Sequence, residues 1–147
     1  MQDQSIKTVA TECTCLNLRK ASRVITQLFD QALQPSGILA NQFTLLAALS
    51  LAESVSITRL AQELVMDRTT LTRNLKPLER QGLIRIEPGQ DQRVRVVSLT
   101  EKGQAALVKA LPLWKQAQTK VIEELGQDRW QALLSNLSDT VSLLRES

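Results

Sequence analysis

Residues 55–80, VSITRLAQELVMDRTTLTRNLKPLER, spell two short helices joined by a tight turn. Ile57, Leu60, Ala61 and Leu64 follow the i, i+3, i+4, i+7 spacing of a helix with one apolar face. Met66 and Asp67 interrupt that pattern, and Asp67 is placed to N-cap the next helix by accepting its free backbone N–H groups. The second helix turns Leu71, Leu75 and Leu78 inward. At about 100° per residue, Thr69, Arg73, Lys76 and Arg80 then share the opposite side. No acid lies between Arg68 and Lys76, so the stripe offers hydroxyls and cations, groups suited to phosphates and guanine edges. A solvated surface helix presents the same stripe, so the flanking sequence has to decide.

The charge balance favours a ligand for this segment. The 147 residues carry a net charge of +3 and fit one domain with its own core. Between Ser56 and Arg95 eight basic residues face five acids, while the remainder holds ten of each sign. The whole excess therefore sits here, a local footprint for a polyanion. Apolar residues make up 43% of the chain, against the expectation for disorder. Aromatics make up 3%, with no Tyr, which argues against base stacking of single strands. The chain has no His, and Cys13 and Cys15 are its two cysteines, so neither a Cys/His zinc site nor an imidazole triad can be assembled. No Gly-rich phosphate loop or nucleophile elbow occurs. Neither an enzyme nor a cofactor is expected. No apolar run approaches the about 20 residues of a membrane span, and Met1–Thr11 is no signal peptide, so a cytoplasmic protein without a membrane partner is expected.

On the N-terminal side, Met1–Thr11 is polar and expected to fray. A helix is predicted over about Cys13–Leu33, ended by Gln34-Pro35-Ser36-Gly37. A helix of that length either wraps the core or pairs with a partner subunit. Asn41 is positioned to cap the next helix, whose Phe43, Leu45, Leu46 and Leu49 predict a buried central element. Glu53–Ser56 reads as a connection. On the C-terminal side Gly82 suits the left-handed residue that ends a helix. Leu83–Glu87 and Val94–Leu99 are β-prone runs joined by Pro88-Gly89-Gln90-Asp91-Gln92. Alternation places Arg93 and Arg95 on one face, Val94 and Val96 on the other. Thr100 is the expected cap of a long helix over Glu101–Leu125, with Pro112 expected to bend it. A last helix from about Asp128 carries Trp130, Leu133, Leu134, Leu137, Val141 and Leu144. Pro77 either kinks its helix or ends it; the unbroken phase of Leu71, Leu75 and Leu78 favours the kink.

Helix, helix, then a hairpin with a basic tip is the order of a winged helix–turn–helix. Its second helix can enter a major groove while a hairpin arginine reaches a minor groove. The fold class expected is mainly α with a small β-hairpin wing and long terminal helices. The segments LAQELVMDRTTLTRNLKPLERQGLIRI and DQRVRVVSLTEKG, an Asp-x-Arg followed by a strand ending in Leu-Thr, resemble the recognition helix and wing of the MarR family of bacterial transcription regulators. The likeness runs from Cys13 to Leu144.

The resemblance implies a homodimeric repressor of pseudo-palindromic double-stranded operators. Within a single domain over residues 1–147, residues 13–35 and 101–146 become dimerisation helices and 41–99 the winged-helix lobe. By matching positions, Arg68, Thr69, Thr70, Thr72, Arg73, Asn74 and Lys76 become the major-groove set, and Asp91, Gln92, Arg93 and Arg95 the wing set. Arg73 suits a bidentate contact to guanine, the threonines phosphates or thymine methyls, and Lys76 a phosphate anchor. Arg93 is the minor-groove candidate; Asp91 either holds its guanidinium or serves the turn. The commoner signal in similar proteins is a small aromatic, anionic effector, with Arg23, Phe29, Phe43 and Leu46 as pocket candidates. Cys15 falls where the peroxide-sensing branch has its reactive cysteine, although the tyrosines of that branch are missing and Phe29 replaces one. That leaves redox sensing through Cys15 as the alternative signal, and a winged-helix protein-interaction module as the alternative class.

Overall fold

The computed structural model describes residues 3–145. Helices α1 (Gln4–Glu12) and α2 (Thr14–Leu33) lead into α3 (Ala40–Ala52). Strand β1 (Ser54–Ser56), α4 (Ile57–Glu63) and α5 (Arg68–Arg80) follow, then β2 (Ile84–Pro88) and β3 (Arg95–Leu99). Helices α6 (Glu101–Leu125) and α7 (Gln127–Leu144) complete the chain. The winged helix–turn–helix order is thus realised, with one strand more than the sequence pattern indicates. Ser54–Ser56 is not a bare connection: it joins an antiparallel sheet of order β1-β3-β2, with Val55 opposite Val97 and Ile86 opposite Val97 on the other side. A single apolar residue between two serines leaves no alternation to read, and the strand exists because β3 offers it a free edge.

The core forms where α3, α4, α5 and the sheet meet. Leu33, Leu46, Leu49, Leu60, Leu71, Leu75, Leu78 and Val97 are its fully buried side chains. α5 runs through Pro77 to Arg80, as the phase of its leucines requires, and Leu78 beyond the proline is fully buried. α6 likewise continues through Pro112.

Three local expectations need correction. The N-terminal segment does not fray from Asp3 onward; Met1 and Gln2 lie outside the described residues. Asp3 accepts the Ser5 N–H at 3.0 Å and caps α1, which ends where the Cys13 N–H reaches the Val9 carbonyl. Asn41 is not a cap, because α3 starts one residue earlier. Its first N–H, that of Ala40, is taken by Asp30 Oδ1 at 2.7 Å, a tertiary cap that local sequence cannot announce, and Gln42 Oε1 accepts the Leu39 N–H. In the wing, Arg93 and Val94 belong to the turn, and the strand begins at Arg95. The inward apolar residue is Val97, two residues on from Arg95, while Val94 stays 39% exposed.

α7 buries none of its residues, and α2 buries Leu33 alone. Leu133, Leu134, Leu137 and Val141 form an exposed row along α7, and Leu18, Val24 and Ile25 are exposed on α2. More apolar surface therefore stands on the terminal helices than the core of this chain covers.

Candidate nucleic-acid interface

The turn before the recognition helix is held by its own backbone. The Leu64 N–H returns to Leu60, Val65 to Gln62 and Met66 to Ala61, at 3.0, 3.3 and 2.9 Å. Val65 completes the turn at φ 56°, a left-handed conformation rarely tolerated by a β-branched residue. Asp67 then caps α5 as its position indicates. Oδ1 accepts the Thr70 N–H at 2.8 Å and Oδ2 the Thr70 hydroxyl at 2.7 Å. The Thr70 hydroxyl holds the Asp67 carboxyl below its usual range, helped by the backbone N–H groups of Thr70 and Thr69 and the charge of Arg73.

On the outer side of α5, Arg68, Thr69, Thr72, Arg73 and Lys76 line one shallow cleft of about 460 Å³. Arg68, Thr69, Arg73 and Lys76 are exposed, the last three on the side opposite the buried Leu71, Leu75 and Leu78. Thr70 and Asn74, the other two residues of the set read from sequence, are half-buried and do not line this cleft. Helix geometry explains the split: at about 100° per residue Thr70 lies about 130° and Asn74 about 170° round from the cleft centre.

In the wing, Asp91 serves the turn and stands beside the Arg93 guanidinium. Its Oδ1 accepts the Arg93 N–H at 3.0 Å, an Asx turn, and lies 3.5 Å from Arg93 Nε. Gln92, Arg93 and Arg95 are exposed, and the turn closes through Gly89 N–H to the Val94 carbonyl at 2.8 Å. So exposed an ion pair adds little stability to the free protein.

Sequence reasoning missed the residues that fix the far end of α5. The Thr100 hydroxyl donates to the Gly82 carbonyl at 2.6 Å while accepting the Gly103 N–H, and Lys102 Nζ donates to the Gln81 carbonyl at 2.7 Å. The Leu-Thr-Glu-Lys-Gly run was legible as the close of a wing, but not as a clamp on carbonyls about 20 residues earlier. Arg145, at the end of α7, also donates to the Gln62 carbonyl at the end of α4.

The effector and redox candidates are more scattered. Phe29 and Phe43 meet through Trp114, at ring-centroid distances of 6.5 and 6.0 Å. Leu46 is fully buried in the core and Arg23 is exposed. Cys15 is exposed in the first turn of α2, whereas Cys13 caps that helix by accepting the Leu16 N–H at 3.4 Å.

A buried-backed basic helix after a helix–turn, followed by a wing with exposed arginines, defines a winged-helix DNA-binding protein. This chain belongs to the MarR family. A model of that family matches residues 36–93. The organic hydroperoxide resistance transcriptional regulator of Bacillus subtilis is 33% identical over 100 residues, 67% of this chain and 68% of its own. The homoprotocatechuate degradative operon repressor of Escherichia coli is 28% identical over 130 residues, 88% of this chain and 83% of its own. Among solved structures, the Mycobacterium tuberculosis transcriptional regulator MosR in complex with DNA is 40% identical, with a TM-score of 0.80 over 92% of this chain and all of that one. The family is one of DNA-binding transcription regulators, not enzymes. Among the described residues no single helix is long and apolar enough to cross a membrane.

Proposed function

We propose that the chain is a homodimeric repressor that binds pseudo-palindromic operators, with α5 in the major groove and the wing in the adjacent minor groove. The observation that carries the reading is the cleft of Arg68, Thr69, Thr72, Arg73 and Lys76 on a helix whose other face is fully buried. Such a helix cannot turn its cations elsewhere. Arg73 is the base reader, Lys76 the phosphate anchor, and Arg93 the minor-groove probe held by Asp91, with Gln92 and Arg95 beside it in sequence. The second copy is assigned to the apolar rows on α2 and α7, which align along helices at both ends of the chain. This reading keeps residues 13–35 and 101–146 as dimerisation helices around a 41–99 lobe. The DNA upstream of its own gene and a random duplex, titrated at two salt concentrations, test it. Specific binding should exceed non-specific binding by about a thousandfold or more, with a dimer in sedimentation. Equal, weak affinity for both duplexes would leave a protein-interaction module instead.

For the signal, release by a small aromatic anion is favoured by the ring cluster of Phe29, Phe43 and Trp114 next to Leu46, with Arg23 as the candidate cation. A second reading rests on Cys15. It is exposed, and one relative is named for organic hydroperoxide resistance. The Cys15 thiolate would attack the peroxide, becoming a sulfenic acid while the hydroperoxide is reduced to the alcohol. Operator release by phenolic acids in a Cys15→Ser variant supports the first reading. Release by hydroperoxide in the wild type, absent in that variant, supports the second.

A further inference from the structure

The hydrogen-bond polarity at the start of α5 goes beyond what the cationic cleft explains. A threonine hydroxyl has one proton to donate and two lone pairs to accept. In Thr70 that proton is committed, because the hydroxyl lies 2.7 Å from Asp67 Oδ2 and an ionised carboxylate can only accept. The Thr70 N–H is committed to Oδ1 of the same carboxylate at 2.8 Å. What remains unused on both side chains is lone pairs. Thr69 and Thr72 differ: neither makes a side-chain hydrogen bond among the described residues, so their hydroxyls are free to donate.

A phosphate oxygen is an acceptor, and it cannot bond Thr70 without breaking the short bond to Asp67. The negative charge of Asp67, exposed at the same point, repels phosphate as well. In the major groove the donors are the exocyclic amino groups, N6 of adenine and N4 of cytosine; guanine and thymine offer only acceptors there. The first turn of a recognition helix is the part that addresses base edges. We propose that Asp67 and Thr70 form an acceptor-only patch that selects an amino-bearing base, adenine or cytosine, over guanine or thymine at one position of each half-site. The patch rests on the DNA-binding reading above and adds to it a base preference that Arg73 and Lys76, both donors, cannot supply.

Selection from a randomised duplex pool by the full-length protein tests this. Wild type and Thr70→Ser should enrich adenine or cytosine at one position per half-site. Thr70→Val should lose that preference by about fivefold while the rest of the motif persists. Asp67→Asn keeps a capping oxygen but turns its amide N–H toward the Thr70 oxygen, freeing the hydroxyl proton. That variant should shift the same position toward guanine or thymine. An unchanged motif with both Thr70→Val and Asp67→Asn overturns the proposal. So does a uniform loss of affinity on all sequences with a shallower salt slope, the mark of a phosphate contact. Should Thr70→Val fail to fold, Asp67→Asn alone decides, by shifting the preference or leaving it. A wild-type protein that enriches no sequence instead refutes the DNA-binding reading itself.

Discussion

Gly103→Ala tests how tightly α6 is seated against the wing and the recognition helix. A Cβ built on Gly103 would lie 2.0 Å from the Leu83 carbonyl oxygen and 2.7 Å from Leu99 Cδ1. Ordinary carbon–oxygen contacts begin at about 3.3 Å, so the backbone has to separate by about 1 Å or more. The side chain of Leu99 can adjust. The carbonyl cannot, because it also accepts the Thr100 N–H at 3.1 Å. Overpacking of this kind costs about 1–3 kcal/mol, and weakening that hydrogen bond about 1 kcal/mol more. Alanine returns about 1 kcal/mol through its better helix propensity. The net loss is about 1–3 kcal/mol, or about 3–10 °C in melting temperature for a chain of this size. Thermal unfolding by circular dichroism at one protomer concentration measures it, since the proposed dimer would melt in a concentration-dependent way. Gly126→Ala is the control: its Cβ meets nothing within 4 Å, and its φ of 84° leaves only backbone strain. A Gly103→Ala protein that melts at or above the wild-type temperature would refute the close seating of α6.

Arg73→Ala should flatten sequence preference by about 1–3 kcal/mol per half-site, whereas Lys76→Ala should weaken all duplexes alike and lower the salt slope by about one. Equal losses from both variants on specific and random DNA would remove the assignment of roles. Val65→Gly should raise stability by about 1 kcal/mol, because glycine adopts φ 56° without the clash of a branched Cβ and the valine is 53% exposed. Urea denaturation reads the difference, and a less stable variant would show that the valine packs more than its exposure suggests. Asp67→Ala should lose stability at neutral pH, with a gap that narrows as acid is added. The folded-state pKa of Asp67 lies below its unfolded value, so its contribution is present above about pH 4 and disappears as pH falls through the lowered folded value. A gap that stays constant down to pH 2 would contradict the ionised cap.

The helix–turn–helix was legible because its information is local. Leucines at helical spacing, one capping aspartate and one left-handed glycine suffice to place α4 and α5, and Gly82 does take φ 76°. The cleft was legible in part for the same reason: Thr69, Arg73 and Lys76 follow from one helix's phase, Arg68 and Thr72 entered through the family resemblance, and Arg80, read from the same phase, does not line it. What escaped depends on distant partners. Asp30 caps α3 from α2, Lys102 closes the end of α5 from α6, and β1 needs the edge of β3. Thr70 shows the limit within a single turn. Its place near the recognition face could be counted from the sequence, but the direction of its hydroxyl proton could not.

The clamp at the end of α5 bears on how any signal reaches DNA. Gln81, Gly82 and Leu83, the three residues that leave the recognition helix, give their carbonyls to Lys102, Thr100 and the Thr100 N–H in turn. Three consecutive acceptors satisfied from the start of one long helix tie the junction to that helix. Trp114 lies on the same helix, stacked at 19° on Phe43 and tilted against Phe29. A ligand that spreads those rings must therefore move α6 against α3 or leave the rings in place. In the first case the clamp carries α5 with it, and in a dimer each recognition helix shifts against its twin. Operator half-sites are spaced by the helical repeat of DNA, so a change of a few ångströms between two such helices is enough to cost one of them its groove. On the proposed reading, rigidity at this junction, rather than flexibility, would let a binding event among those rings be read at a base pair.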